Sequence, residues 1–300
     1  MPKLFDKLFA FNDWGIAFRP INAGTPLPIG KELCRYMTVK IPKWHYYADP
    51  FLFANEGDLY LFAEHMDRKR GIGTIAVAKY DEEKKRFFGF HDVIVNTFHL
   101  SYPNVFSHNG NIYMIPESNA CGKLLLYRAD EFPDKWTIDR VLSEGVKLVD
   151  SSLVPKDENS FYLFSHDYEH PEQRVLFLLD MKAKEIKRLT DKEPMITIGR
   201  GGGNVMKVGS EWVRPIQDCS ANYGERIKLY NVTITSRDFS EEYIGTVDPH
   251  NICLANRIRK PDRVHTINRC NGYEVIDYLM KTYYRDKPIM KFLRKVQKKK

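Results

Sequence analysis

Asp49 and Glu64 stand at the two open ends of a hairpin. In YYADPFLFANEGDLYLFAEHMD (46–67) two apolar, strand-like runs, Pro50–Phe53 and Leu59–Ala63, flank the polar turn NEGD, and a carboxylate sits at each end. Carboxyls gathered at the rim of a buried element suit general acid–base chemistry, in which one is kept protonated while its neighbour is ionised. The arrangement returns along the chain. SYPNVFSHNGNIYMIPES (101–118) places Ser101 and Tyr102 before the first run and Glu117 after the second. DSSLVPKDENSFYLFSHD (150–167) starts at Asp150 and ends in His166 and Asp167. GGGNVMKVGSEWVRPIQD (201–218) follows Arg200 and ends in Gln217 and Asp218. DRVHTINRCNGYEVID (262–277) is the loosest copy and contributes His265.

These copies start near 49, 101, 150, 201 and 262, a period of about 50 residues. Further strand-like runs lie between them, such as GTIAVAKY (73–80), KLLLYRA (123–129), RVLFLLD (174–180) and RIKLYNVTI (226–234). Four short strands per repeat at this period predict an all-β, five-bladed β-propeller over residues 1–280. WGIAFRPI (14–21) is expected to complete the last blade and close the ring. An irregular β-sandwich is the competing architecture. In a propeller the first strand of each blade lines the axis and the second returns antiparallel, so the residue before one and the residue after the other meet at the same rim. Polar groups that keep phase through five blades therefore converge on one axial pocket. The aromatic content, 13% with 17 Tyr and 18 Phe, suits a β-core and also a cleft in which rings stack on sugars.

ADPFLF with LYLFAE, LSYPNVF with YMIPES, LYRADEFPDKW, VDSSLV, QDCSANYG and VHTIN resemble the propeller domain at the N-terminus of plant glucosamine inositolphosphorylceramide transferases, over roughly residues 12–280. Similar stand-alone proteins are encoded among bacterial surface-polysaccharide genes. More distantly the chain is similar to the five-bladed propellers of glycoside hydrolase families 43 and 32, in which an Asp begins the inner strand of blade 1, as Asp49 does here. The resemblance implies carbohydrate chemistry, and the departures bear on which kind. Ser101-Tyr102-Pro103 occupies the second-blade position where those hydrolases carry a pKa-tuning Asp, and GRGGGN offers no Glu where their general acid is expected. A sugar-transferring enzyme, glycosyltransferase or phosphorylase-like, needs less: one carboxylate to deprotonate an acceptor hydroxyl, and donors for a leaving phosphate.

The candidate catalytic groups are accordingly Asp49 as base, Asp150 as a second carboxylate, and Glu117. Arg200, Arg214 and the backbone of Gly201–Gly203 are candidate phosphate or oxyanion donors; the same glycines also suit a tight chain entry at the axis. Glu64, Tyr102, His166, Gln217, Asp218, Tyr223 and His265 are candidate substrate contacts, with structural roles open for each: an ion pair for Glu64, packing for the histidines, an inter-blade turn for QDCSANYGERI. No metal-ligand spacing and no cofactor motif stands out. A glycoside hydrolase and a non-catalytic glycan-binding propeller are the alternatives.

The formal net charge is +7, but residues 281–300 hold nine Lys/Arg against Asp286 alone; removing that +8 segment from +7 leaves −1 for the rest. Basicity confined to a tail argues against a nucleic-acid protein, whose charge lies on the face that meets phosphate. Within the tail, Ile289, Phe292, Leu293 and Val296 fall on one helical stripe among Lys291, Arg294, Lys295 and Lys298. A short basic amphipathic helix over 284–300 is expected, a peripheral contact with anionic membrane or lipid-linked glycan. Five singly spaced cysteines, no 18-residue apolar run and no signal-peptide pattern at the start point to the cytoplasm, with the inner membrane surface as the place of contact.

Overall fold

The computed structural model describes residues 8–171, 173, 175–190, 199–255, 257–284 and 287. Five sheets form five blades, antiparallel except for one parallel pair in blade 5. Blade 1 runs from inner to outer strand as His45–Asn55, Asp58–Asp67, Gly73–Asp81 and Arg86–Ile94. Blade 2 is Ser101–His108, Asn111–Glu117, Lys123–Glu131 and Lys135–Glu144, and blade 3 is Leu148–Asp157, Ser160–Asp167, Leu176–Asp180 and Glu185–Arg188. Blade 4 has a very short inner strand, Met206–Val208, followed by Glu211–Asp218, Arg226–Ile234 and Phe239–Val247.

Blade 5 is assembled from both ends of the chain. Ile267–Cys270 and Tyr273–Tyr283 come from the C-terminal side, Ala10–Pro20 and Cys34–Thr38 from the N-terminal side, and Ile252–Leu254 adds in parallel to Cys34–Thr38. Ala10–Pro20 pairs with Tyr273–Tyr283 along its whole length, from Ala10 opposite Tyr283 to Pro20 opposite Tyr273. The closing strand expected over 14–21 is therefore present and longer. Beside it Glu274, fully buried, accepts from Arg19 Nε at 2.7 Å, Tyr36 Oη at 2.5 Å and Arg269 Nε at 2.7 Å, which ties the two chain ends together. The strand ending at Tyr283 also carries the propeller past residue 280; the rest of the expected tail, apart from Tyr284 and Lys287, lies outside the described residues.

The apolar faces of the strands meet between blades. Five clusters fill the five seams; Leu126 and Leu163 meet in one, Phe62 and Leu125 in another, Phe18 and Leu61 in a third. Each blade thus buries both faces against neighbours, which explains near-continuous apolar strands where an open sheet would alternate. Inside the ring three asparagines tie inner strands together. Asn104 Nδ2 donates to Ser151 O at 3.1 Å, the Asn204 N–H to Asn268 Oδ1 at 2.7 Å, and Asn268 Nδ2 to Pro50 O at 2.7 Å.

Candidate active site at the axis

Blades 1, 2 and 3 repeat one backbone device at the start of the inner strand. The ladder slips between Ala48 and Phe51, between Ser101 and Asn104, and between Val149 and Ser152. At each slip a non-glycine residue is left-handed: Asp49 (φ 48°), Tyr102 (φ 48°) and Asp150 (φ 51°). Such bulges re-aim a side chain that a regular strand would point into the sheet, and a left-handed non-glycine residue is held there only by its surroundings. The equal phase of the polar groups in the sequence is thus equal backbone geometry in the fold.

Two ionic groups result. In the first, Arg200 grips Asp150 with two bonds, Nε to Oδ2 at 2.7 Å and Nη2 to Oδ1 at 3.0 Å, and reaches Glu117 Oε2 with Nη2 at 2.7 Å. In the second, Asp277 accepts the backbone N–H groups of Asp49 (3.1 Å), His265 (3.0 Å) and Thr266 (2.9 Å), and pairs with His265 Nδ1 at 2.5 Å. That contact fixes the imidazole with Nε2 towards Asp49 Oδ1, 3.7 Å away. Thr266 Oγ1 donates to the same Asp49 oxygen at 2.9 Å. Trp14 stacks on the imidazole at 3.8 Å between centroids, and Tyr223 meets its edge at 5.6 Å. Glu64 lies at the margin, 3.4 Å from His99 Nε2.

Crowding of buried carboxyls sets their protonation. Burial, then the charges of Asp277 and Asp150, push Asp49 up to about 6 against the pull of His265. Burial, then Asp49 and Glu117, hold Glu64 well above the usual carboxylate range. Glu117 is likewise raised by burial and Asp150, with Arg200 opposing. His265 is raised: burial works against its charge, and Asp277 and Asp49 outweigh it. His99 and His166 are lowered, chiefly by burial. The site therefore gathers several carboxyls whose proton affinity is raised beside a histidine whose proton affinity is also raised, an arrangement suited to acid–base work.

Asp49, Asp150, Glu117, Glu64, Arg200 and His265 converge as expected, with His166 buried beside Asp150 and Arg200 and with half-exposed Tyr223 over the guanidinium of Arg200 at 5.7 Å. Four expectations need correction. Arg214 is not a phosphate donor: it pairs with Glu241 at 2.5 Å between the rings of Phe164 and Phe239, in the seam of blades 3 and 4. Tyr102 is fully buried; its hydroxyl donates to Gly203 O (2.6 Å) and accepts the Gly203 N–H (2.9 Å), bridging the axis from blade 2 to blade 4. Gln217 is buried and donates to Gly201 O at 2.7 Å. Asp218 accepts the Ser220 N–H in its turn and pairs with Lys228.

The glycine run is a chain entry rather than an anion cradle. The Gly202 N–H donates to Pro215 O, the Gly203 N–H is taken by Tyr102, and a Cβ at Gly201 would lie 2.8 Å from Tyr102 Oη and 2.9 Å from Asp150 Cβ. Gly224 plays the matching role in the blade 4 loop: at φ +60° it lies over His265, where a Cβ would come within 2.7 Å of the histidine Cβ.

Among the described residues Asp49, His265 and Asp277 form a cluster whose donor atoms lie within 4.8 Å of one another. Asp277 is already saturated by three N–H groups and the imidazole. The trio fits a hydrogen-bonded relay better than a cation cage.

Residues 28–252 match the family described as glucosamine inositolphosphorylceramide transferase 1, N-terminal. The chain belongs to this family. The glucosamine inositolphosphorylceramide transferase 1 proteins of Oryza sativa subsp. indica and Arabidopsis thaliana are each 33% identical to it, over 212 and 208 residues, covering 66% of this chain. The chain spans only 28% and 26% of those relatives, respectively. Among solved structures it is similar to the GH43_1 enzyme from Xanthomonas citri complexed with xylotriose (TM-score 0.55, 12% identity, 79% of this chain and 86% of that one). It is also similar to the catalytic domain of Coprinopsis cinerea GH62 α-L-arabinofuranosidase (TM-score 0.56, 13% identity, 79% and 90%). At these identities the likeness shows the five-bladed fold alone.

The family match ends before His265 and Asp277 and begins after Trp14. The relay on blade 5 is thus visible only once the ring is closed. Asp277, Trp14, Thr266 and His99 were not singled out in the sequence. Asp277 ends the fifth repeat, at the phase of Glu64, Glu117, Asp167 and Asp218, and that phase was the available signal.

Proposed function

We propose that the chain is a sugar-transferring enzyme of surface polysaccharide or glycolipid assembly, with the axial pocket as its active site. One observation carries this reading: Asp49, strained and buried, faces His265, which Asp277 orients. The pair can take a proton from an acceptor hydroxyl, with Asp49 as base and the imidazole holding or passing the proton. Arg200, anchored by Asp150 and Glu117, presents its remaining face under Tyr223 at the mouth, suited to a phosphate or a developing oxyanion. The relatives' name, glucosamine inositolphosphorylceramide transferase 1, agrees with this. The basic tail supports work at a membrane surface, on the cytoplasmic side.

Hydrolysis is the second reading, favoured by the raised proton affinities of Glu64 and Glu117, either of which can serve as a general acid. Thermal-shift screening with nucleotide sugars, sugar phosphates and free oligosaccharides, followed by turnover assays on wild type and Asp49→Asn, separates them. Transfer requires binding of an activated sugar and loss of turnover in the variant. Water as the sole acceptor would establish hydrolysis, and turnover unchanged by Asp49→Asn would remove the axial pocket from the chemistry.

A further inference from the structure

His99 comes from the loop that leads into blade 2, and its ring is fixed by blade 1. The Gly73 N–H donates to His99 Nδ1 at 3.0 Å, and the Leu100 N–H donates to Gly73 O at 3.0 Å. Gly73 opens the third strand of blade 1, and the imidazole lies directly on it. A Cβ there would come within 2.6 Å of His99 Cε1 and 2.8 Å of Leu100 O. A backbone N–H can only donate, so Nδ1 carries no proton and the neutral imidazole holds its hydrogen on Nε2. Burial, then the charge of Arg200, lowers the proton affinity of His99, which keeps that neutral form.

The fixed donor faces Glu64. Nε2 stands 3.4 Å from Glu64 Oε1, longer than an ordinary N–H···O bond. Among the described residues the Glu64 side chain has no closer polar partner, although the residue is only 7% exposed. A buried carboxyl so poorly matched costs stability, and a ligand group accounts for it where packing does not. The His99 side chain is 38% exposed, so its donor is open to an incoming molecule.

A fixed donor beside a carboxyl, 3.4 Å apart, can make two nearly parallel hydrogen bonds to oxygens on adjacent ring carbons of a sugar. One hydroxyl accepts from His99 Nε2. Its neighbour donates to the Glu64 carboxylate or accepts from the protonated form. A ring lacking either hydroxyl leaves one of the pair unmatched, which is how a hydrogen-bonding site rejects a deoxy analogue.

We propose that His99 and Glu64 clamp two adjacent hydroxyls of the sugar in the axial pocket. His99 is then a specificity-determining residue, and the substrate class is a sugar with a free vicinal diol at that edge. This rests on the sugar reading of the pocket.

The test pairs a residue with a hydroxyl. Saturation-transfer NMR titrations of the full chain use D-glucose, D-galactose and D-mannose, free and as 1-phosphates, and then the monodeoxy forms of whichever binds. The proteins are wild type and His99→Asn. Asparagine places its carbonyl near the position of Nδ1, so the Gly73 N–H keeps an acceptor while the Nε2 donor is lost. The parent sugar should bind His99→Asn about tenfold more weakly, the weight of one hydrogen bond. One deoxy form should bind wild type just as weakly and lose nothing further in the variant, and that non-additivity identifies the hydroxyl His99 meets. Equal binding of the parent sugar by both proteins, or additive losses for every deoxy form, overturns the clamp and leaves the sugar reading standing. Nitrogen-15 shifts of the His99 ring in wild type serve even if the variant misfolds: a proton on Nε2 is expected, and a proton on Nδ1 overturns the proposal. If none of these sugars binds wild type, the sugar reading fails and takes the clamp with it, a result distinct from sugars that bind without regard to His99.

Discussion

Asp277 and Asp49, 228 positions apart, are joined by a hydrogen bond from the Asp49 backbone N–H to Asp277 Oδ2 at 3.1 Å. The same carboxylate sets the ring of His265, whose other nitrogen faces the Asp49 side chain. One buried residue of blade 5 thus fixes both the backbone and the partner of the candidate base on blade 1, across the seam where the ring closes.

Asp277→Asn should separate positioning from stability. The amide replaces one accepting oxygen by a donor that faces N–H groups, and it no longer holds His265 in one orientation. Turnover should fall by about 10²–10⁴-fold, as for other oriented histidines, and stability by about 1–3 kcal/mol for a buried donor left unmatched. Comparing kcat with the urea midpoint checks this: a loss of stability with kcat intact would leave Asp277 a purely structural residue.

Asp49 gives the pH dependence. Its carboxyl is raised to about 6, so below that pH it is neutral and has no base function. Log kcat/KM should climb by roughly one unit per pH unit up to about pH 6 and then level. Asp49→Asn should abolish the limb along with the activity. A flat profile from pH 5 to 8 in the wild type would assign the base elsewhere.

Arg200→Ala removes the partner of two carboxylates at once. With its side chain only 22% exposed, the loss should cost about 2–4 kcal/mol at neutral pH, discounted slightly from a fully buried pair. The sign with pH follows. Arg200 opposes the rise of Glu117, so without the guanidinium the folded-state affinity of Glu117 for its proton rises further; the cost therefore grows as pH climbs above the unfolded carboxylate range and shrinks towards pH 4. Thermal melts at pH 4, 6 and 8 measure it; a constant cost would mean that Arg200 acts by packing alone.

Much of this was legible in the sequence because a propeller repeats its chemistry with its geometry. Asp49, Glu117 and Asp150 kept phase through strong copies of one hairpin. Gln217 kept the same phase but serves a chain entry, since period reports which rim a residue lies near and not which way its side chain turns; Arg214, a candidate for its guanidinium alone, serves a seam. Tyr102 misled for a related reason: its bulge matches that of Asp49, but the glycines opposite let its ring cross the axis. Asp277 was hidden by connectivity. Its blade is built from two chain ends, so the fifth copy lacks two of its strands in sequence order and looks degenerate.

The basic tail yields a prediction from charge alone. Residues 288–300 contain six Lys/Arg, each contributing about 1 kcal/mol near an anionic surface. Removing 288–300 should abolish sedimentation with phosphatidylserine vesicles, and wild-type binding should weaken steeply between low and physiological salt. Retained binding by the shortened chain would refute a tail anchor.

Glu64→Gln tests the crowding of the site with a stability readout. Glu64 is buried among Asp49, Glu117 and Asp277, and its folded-state affinity for a proton is raised. A raised carboxyl binds its proton more tightly in the folded state, so stability is fullest below the unfolded value near 4.5 and falls as pH rises through the window above it. Glutamine mimics the neutral form and does not titrate. The variant should match wild type at pH 4 and melt higher at pH 8, by about 2 °C or more for a chain of this size. A variant that melts lower at pH 8 would show instead that Glu64 is ionised and held by His99, and the neutral carboxyl at the axis would have to be Glu117.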